Sequence, residues 1–242
     1  MEAALVILGG ILVVAGLIAI AIQAHKAHLR RLAALRAFAD SMGWTFFTRQ
    51  DRSHDDEYAH FAAFRRGTNR HAFNTMQGPL SIGGHVYRAK AGDFYYEIQQ
   101  TNGKNTSTSR YTFSYLILEA PFAGIPDMYI RREGVIDKLA GMLGFDDIDF
   151  ESAEFSRRFH VSGRDKRFVY DIVSPPMMEY LMKSLPGFVE IEHGRFLITD
   201  ATTRWKPEHY PSMVNWAKGF FELWPRHVIR QLEEASSSGR RA

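Results

Sequence analysis

The chain has 242 residues, of which 45% are hydrophobic, 24% charged and 13% aromatic, with a formal net charge of +3 and no cysteine. Those values exclude a collagen, a disulfide scaffold and a largely disordered chain. They also conceal an uneven distribution, because residues 3–22 hold seventeen apolar residues and three glycines and carry no charged or hydrogen-bonding side chain.

That first run, AALVILGGILVVAGLIAIAI, is long enough as a helix to span roughly 30 Å, the hydrocarbon thickness of a bilayer, at about 1.5 Å per residue. A helix also satisfies its own backbone in lipid. The competing reading is a cleaved signal peptide, for which Ala19-Ile20-Ala21 supplies a site of the right type. Against it stand the Met-Glu start in place of a basic one, and an apolar run longer than such peptides carry. Gly9 with Gly16, and Ala15 with Ala19, put small residues at spacings that let two spans pack closely, although spans use Gly and Ala freely in any case.

Residues 24–42 follow with Lys26, Arg30, Arg31 and Arg36 against Asp40. Excess Lys and Arg marks the cytoplasmic flank, so the expected topology is an inner-membrane protein with its N-terminus outside and residues 24–242 in the cytoplasm. Those four cations are the expected contacts to anionic headgroups, at about 1 kcal/mol each. The remaining 200 residues hold 26 basic and 25 acidic side chains, so no basic face points to nucleic acid. Leu29, Leu32, Leu35, Ala39 and Met42 recur at helical spacing, and Gly43 stands where a helix turns left-handed.

A strand is expected at 44–48 and a polar loop at 49–60. Strands at 71–77, 85–91, 93–101 and 110–119 are rich in Tyr, Phe, Thr and Ile. Gly78-Pro79, Gly83-Gly84, Gly92-Asp93 and Asn102-Gly103 punctuate them, which predicts an antiparallel meander. Then come a strand at 128–131, a short helix at 135–143, strand-like residues at 147–150 and 159–162, and a helix opened by Ser174-Pro175. Segments 188–192 and 195–199 flank His193-Gly194, a hairpin turn. A helix at 211–223 breaks at Pro225 and resumes to 234. Strands and helices without βαβ alternation give an α+β fold: a transmembrane helix, then a mainly antiparallel sheet with packed helices. The expected divisions are an anchor at 1–23, a basic juxtamembrane helix at 24–43, a domain at 44–235 and a disordered tail at 236–242.

With GFDDIDFESAEFSRRFHV at 144–161, DIVSPPMMEYL at 171–181, the terminal hairpin and the helix interrupted by Pro225, the chain resembles a family of bacterial membrane-anchored proteins that share a domain of unknown function. The resemblance spans most of residues 24–232. It implies bacterial origin and a single span, and no activity, ligand or catalytic residue.

Chemistry-bearing constellations are few. Asp147, Asp149 and Glu151 alternate with Ile148 and Phe150, which on a strand gathers three carboxylates on one face. Clustered carboxylates suit a hard cation such as Ca²⁺ or Mg²⁺, and equally suit a solvated strand face paired with Arg157 and Arg158. Gly78 and Gly83 have phosphate-loop spacing, but Gly84-His85 stands where Lys and Ser/Thr are required. Ten histidines form no HExxH pair, and no Gly-x-Ser-x-Gly elbow is present. Met213, Trp216, Phe220 and Trp224 make one helical stripe. It is either core or an amphipathic face for a membrane or partner, with Trp216, Phe220 and Trp224 as the interface. The expectation from sequence is a non-catalytic binding or scaffold protein at the cytoplasmic membrane face, needing no cofactor. Its partners would be the bilayer and a protein or second copy. A membrane-tethered, metal-assisted hydrolase using the 146–154 carboxylates is the alternative.

Overall fold

The computed structural model describes residues 2–103, 105–133 and 147–239. The apolar run and the basic segment after it form one unbroken helix, α1 (Glu2–Ser41), since nothing between them interrupts the backbone ladder. It is the one helix among the described residues long and apolar enough to cross a membrane. Its residues from Leu12 to Ile22 stand free of the rest of the molecule. The helix ends where expected. Gly43 takes φ +67°, and Trp44 N–H returns to the Ala39 carbonyl at 2.8 Å.

Then follow β1 (Thr45–Phe47), α2 (His54–Glu57), a single 3-10 turn (Ala62–Arg65), β2 (Thr68–Ile82), β3 (His85–Asn102), β4 (Asn105–Glu119) and β5 (Met128–Arg132). After residue 146 come α3 (Ala153–Arg158), β6 (Phe159–Gly163), α4 (Lys166–Ile172), α5 (Pro175–Lys183), β7 (Phe188–Glu192), β8 (Arg195–Thr199), α6 (His209–Glu222) and α7 (Arg226–Gly239). The eight strands form one sheet in the order β1-β2-β3-β4-β8-β7-β5-β6. Every pairing is antiparallel, so the fold class is α+β.

Two glycines expected to end strands lie inside them instead. A Cβ on Gly92 would stand 3.1 Å from the Tyr115 hydroxyl and 3.2 Å from the Phe73 carbonyl, so this glycine permits close approach within β3. A Cβ on Gly78 would meet Trp44 Cδ1 at 2.4 Å. Pro79 is tolerated beside it because β1 pairs only with Thr75–Gln77 and leaves β2 an open edge beyond. The 71–77, 85–91 and 93–101 segments are therefore parts of two long strands. The true turns use positive φ at Gly83-Gly84 and at His193-Gly194. The expected helix at 135–143 lies outside the described residues. Residues 147–150 make one bridge, Asp147 to Ser162, in place of a strand. The tail expected to fray from residue 236 continues α7 through Gly239.

The sheet buries both faces. One carries Leu80, Tyr87, Ala89, Ala91, Leu116 and Leu118 against α1, α5, α6 and α7. The other carries Ala72, Phe94, Tyr96, Phe113, Tyr115 and Leu197, capped by Tyr58, Phe61 and Phe64 from the 54–65 segment. Phe64 sits at the centre of that cap, 4.9 Å from Phe94 and 5.4 Å from Tyr115 by ring centroids. Phe64→Ala is expected to cost about 3–5 kcal/mol, measured as a fall in the urea midpoint of the detergent-solubilised protein.

Glu190 lies buried in β7 opposite Tyr129 and Leu197. Burial, and then the neighbouring Glu192 charge, raises its carboxyl to about 8. The folded state therefore holds a proton that the unfolded chain has released, and stability falls as pH rises from 4.5 towards 8. Glu190→Gln should remove that slope, read from denaturation midpoints across the same pH range.

Candidate functional site

The best-built polar site in the described residues is a buried carboxylate on the helix-covered face. Asp93 is fully buried in β3. Its Oδ1 accepts from Ser114 Oγ at 2.6 Å, Tyr210 OH at 3.0 Å and Arg31 Nη2 at 3.0 Å. Its Oδ2 accepts from Arg31 Nη2 at 2.9 Å, Asn74 Nδ2 at 2.9 Å and Arg204 Nε at 3.0 Å. Arg31 also donates to the Trp205 carbonyl at 2.6 Å. One carboxylate thus joins α1 to three strands, to the 200–208 loop and to α6.

The local sequence explains how these donors converge. Between Phe73 and Met76 the β2–β3 register shifts, and Asn74 takes φ +51°. A bulge of this kind re-aims a side chain, and Asn tolerates the left-handed region better than most residues. Here it directs Asn74 at Asp93. Burial pushes the Asp93 carboxyl up. The Arg31 and Arg204 charges and the Ser114 and Asn74 hydrogen bonds outweigh it, leaving the group below the usual carboxylate range. The clasp is therefore intact at neutral pH and is lost only as pH falls through that lowered value.

The basic residues of α1 divide by position. Lys26 and Arg30 are exposed, roughly 6 and 12 Å beyond Ile22 along the helix at about 1.5 Å per residue, within reach of headgroups. Arg31 and Arg36, expected at the same surface, are engaged elsewhere. Arg31 points into the domain with its side chain 14% exposed. Arg36 lies over the Phe46 ring at 5.3 Å, about 21 Å beyond Ile22. The reason is helical periodicity: Arg31 lies four residues before Leu35, on the stripe that packs against the sheet.

The aromatic stripe of α6 is core and not an interface. Trp216, Phe220 and Trp224 are buried. Trp216 donates to the Ser184 carbonyl and stacks on Tyr180 at 5.6 Å. Trp224 meets the Phe168 and Phe196 rings, each at 5.7 Å. This burial withdraws membrane docking by that face.

The three acidic residues are exposed, with Ile148 and Phe150 buried between them. Asp147 parts from Asp149 and Glu151, because the chain leaves the sheet after one bridge. Asp147 Oδ1 accepts the Ile148 and Val161 amides at 3.0 and 3.1 Å and lies 3.2 Å from His160 Nδ1. Its near neighbours with ligand atoms are Glu133 and His160, not Asp149 and Glu151. The predicted trio is not gathered, and the Asp147 oxygen pins two chain segments together.

On the opposite sheet face two open clefts, of about 410 and 520 Å³, share Glu57, Gln77 and Lys90. Lys90 Nζ donates to Glu57 at 2.9 Å and Asp51 at 3.3 Å and lies 4.9 Å from the Tyr58 ring centre. Two carboxylates and an aromatic face thus fix the position of this side chain at the rim of both clefts. Neither Asp93 nor Lys90 was singled out by sequence. The available signal was a lone charge at 90 and at 93 within the otherwise uncharged stretch from Ala89 to Tyr96.

Together these features define a class: an antiparallel α+β domain fixed by a buried carboxylate to a helix able to cross a membrane. The fold is similar to that in the crystal structure of the mycobacterial trehalose monomycolate transport factor A, TtfA. The TM-score is 0.50 at 12% identity, over 81% of this chain and 95% of that one. No protein-family model and no curated protein matches the chain.

Removing Arg31 leaves part of a buried charge uncompensated. Arg31→Ala is expected to cost about 3 kcal/mol, near the lower end for broken buried pairs because Arg204 remains. The measurement is chemical unfolding followed by tryptophan fluorescence.

Proposed function

We propose that this protein is a non-catalytic, membrane-anchored binding or scaffold protein of a bacterial inner membrane. Its N-terminus lies outside and its domain at the cytoplasmic face. The observation that carries this reading is the Asp93 clasp, in which the side chains of Arg31, Asn74, Ser114, Arg204 and Tyr210 converge on one carboxylate. An enzyme tethered only to raise its local concentration is served by a flexible linker. A rigid stalk matters when a second membrane component must be met at a defined height and orientation. The excess of Lys and Arg on the domain side of the span supports the cytoplasmic placement, and exposed Lys26 and Arg30 suit anionic headgroups.

The similarity to a protein described as a trehalose monomycolate transport factor supports a lipid-related role by analogy of fold. The reading that follows is a scaffold that presents its domain to a protein or second copy engaged in handling lipid. Reporter fusions at the C-terminus should be active in the cytoplasm, and activity outside would overturn the orientation. Crosslinking in native membranes should capture a defined component with the wild-type chain and lose it with Asp93→Asn, although both reach the membrane. A thermal shift of the solubilised protein specific to a divalent cation or a nucleotide would overturn the non-catalytic reading.

A further inference from the structure

The outer end of the long β3–β4 ribbon has no partner strand within the described residues. β2 accompanies β3 only as far as Thr68 opposite Glu97, while β3 and β4 remain paired out to Asn102 opposite Asn105. At its base the ribbon is braced. Tyr96 stacks on Tyr111 at 5.1 Å, Arg66 lies over Tyr96, and Glu97 is 3.7 Å from Arg110. Beyond that point the described residues from Gln99 to Arg110 are all exposed. A two-stranded ribbon uncovered on both faces is only marginally stable in water, so its length calls for a surface to meet.

The direction of the ribbon follows from two fixed points. At the far end of the stalk, Trp44 Nε1 donates to the Pro79 carbonyl, and Pro79 pairs with Arg88 of β3. Nearer the membrane, Arg31 holds Asp93. From Ser41, where α1 ends beside Trp44, back to Arg31 the helix climbs about 15 Å, and from 88 to 93 the strand climbs about 17 Å. Stalk and strand therefore run side by side, with the N-terminal end of α1 and the ribbon tip pointing the same way. A second helix agrees with this scale. Tyr210 of α6 touches Asp93, and Phe221 lies 4.8 Å from Tyr87.

From this shared level the two elements extend unequally. Ile22, the last residue of the apolar run, lies about 14 Å beyond Arg31 along the helix, whereas Asn102 lies about 30 Å beyond Asp93 along the strand. The tip reaches the level of Ile22 at any divergence between ribbon and stalk below about 60°. Strand twist and an ordinary helix tilt of about 20° fall inside that range.

The geometry points to the β3–β4 ribbon tip, through its described residues 99–103 and 105–109, as a second contact with the membrane that holds α1, made to the headgroup layer on the domain side. This rests on the anchor reading above. The composition selects headgroups over hydrocarbon or protein. Between Ile98 and Arg110 the sequence QQTNGKNTSTS contains no apolar side chain and no acid, and Lys104 is its one charge. Amides and hydroxyls hydrogen-bond to phosphate and glycerol oxygens, and they lack the apolar anchors that form the core of a protein interface. A stalk and a ribbon touching one plane at two separated places also prevent the domain from swinging about the stalk.

The absence of native cysteine makes the test direct. Full-length Gln100→Cys and Ser107→Cys carry an environment-sensitive fluorophore on the ribbon, Ile18→Cys on the span, and Gln231→Cys on α7 at the opposite end of the domain. The proteins are reconstituted in phosphatidylcholine vesicles with one-fifth phosphatidylglycerol. The expected result is blue-shifted emission and loss of aqueous iodide quenching at 100 and 107, with quenching by headgroup-labelled lipid and none by deep acyl-chain labels. Position 18 should respond to the deep labels, and position 231 should remain aqueous. Aqueous signals at 100 and 107 beside a buried 18 would overturn the ribbon contact and leave the anchor standing. An aqueous 18 would overturn the anchor itself. Protection at 100 and 107 that persists in detergent without lipid would instead assign the ribbon to a protein surface and overturn the headgroup contact.

Discussion

The rest of the structure depends on a single buried carboxylate. A charge in the interior is tolerable only when it is paired and fully hydrogen-bonded, and Asp93 meets that condition only when α1, β2, β3, β4, α6 and the 200–208 loop are all in place. The cost of leaving it bare makes the site a test of correct assembly. It also converts the stalk from an appendage into part of the domain, because Arg31 supplies one of the two cations. Leu35 and Ala39, one and two turns further along the same stripe, are fully buried.

Two design problems of a large antiparallel sheet are solved around this point. Burying both faces requires two covers, and the chain provides unlike ones. Helices pack over the aliphatic face, and a short aromatic-rich segment caps the face formed by Phe94, Phe113 and Tyr115. His54 is fully buried within that cap, its ring 4.5 Å from Phe64 and 4.7 Å from Tyr115. Burial, with a lesser contribution from Lys90, keeps it well below the ordinary histidine range and hence neutral. Aromatic edges can accommodate a neutral imidazole, whereas a charged one would disrupt the packing. At the rim of this side Lys90, Asp51, Glu57 and Arg195 gather around Tyr58.

Chemistry and mechanics are thus unequally developed. The acidic segment lends Asp147 to the task of holding a chain crossing, and Lys90 is fixed by its carboxylate neighbours. The polar side chains with the most constrained geometry serve orientation. A helix able to cross a membrane, a rigid junction and a ribbon extending in the same direction form a single mechanical unit. On the reading proposed above, its parts set the position of the domain relative to a bilayer.

The amino-acid sequence by itself determined the features governed by local rules. These are the apolar run of a length that crosses a membrane, the stop at Gly43, the hairpin at His193-Gly194, the break at Pro225 and the α+β class, read from strands and helices that do not alternate regularly. Each depends on periodicity or backbone conformation within a few residues. Only the tertiary structure decided where side chains with two plausible environments belong. Arg31 and Arg30 are adjacent cations of one basic segment, but a turn of 100° per residue sends the first inward and leaves the second in solvent. Trp216 and Trp224 fit a core as well as an interface until Tyr180 and Phe168 close over them. Gly92 and Asp93 look like a turn because Gly and Asp favour turns. Their role in mid-strand came from residues far along the chain, Tyr115 and Ser114 beside them and Arg204 and Tyr210 beyond. The pairing of those distant residues is a property of topology, and no local pattern encodes it.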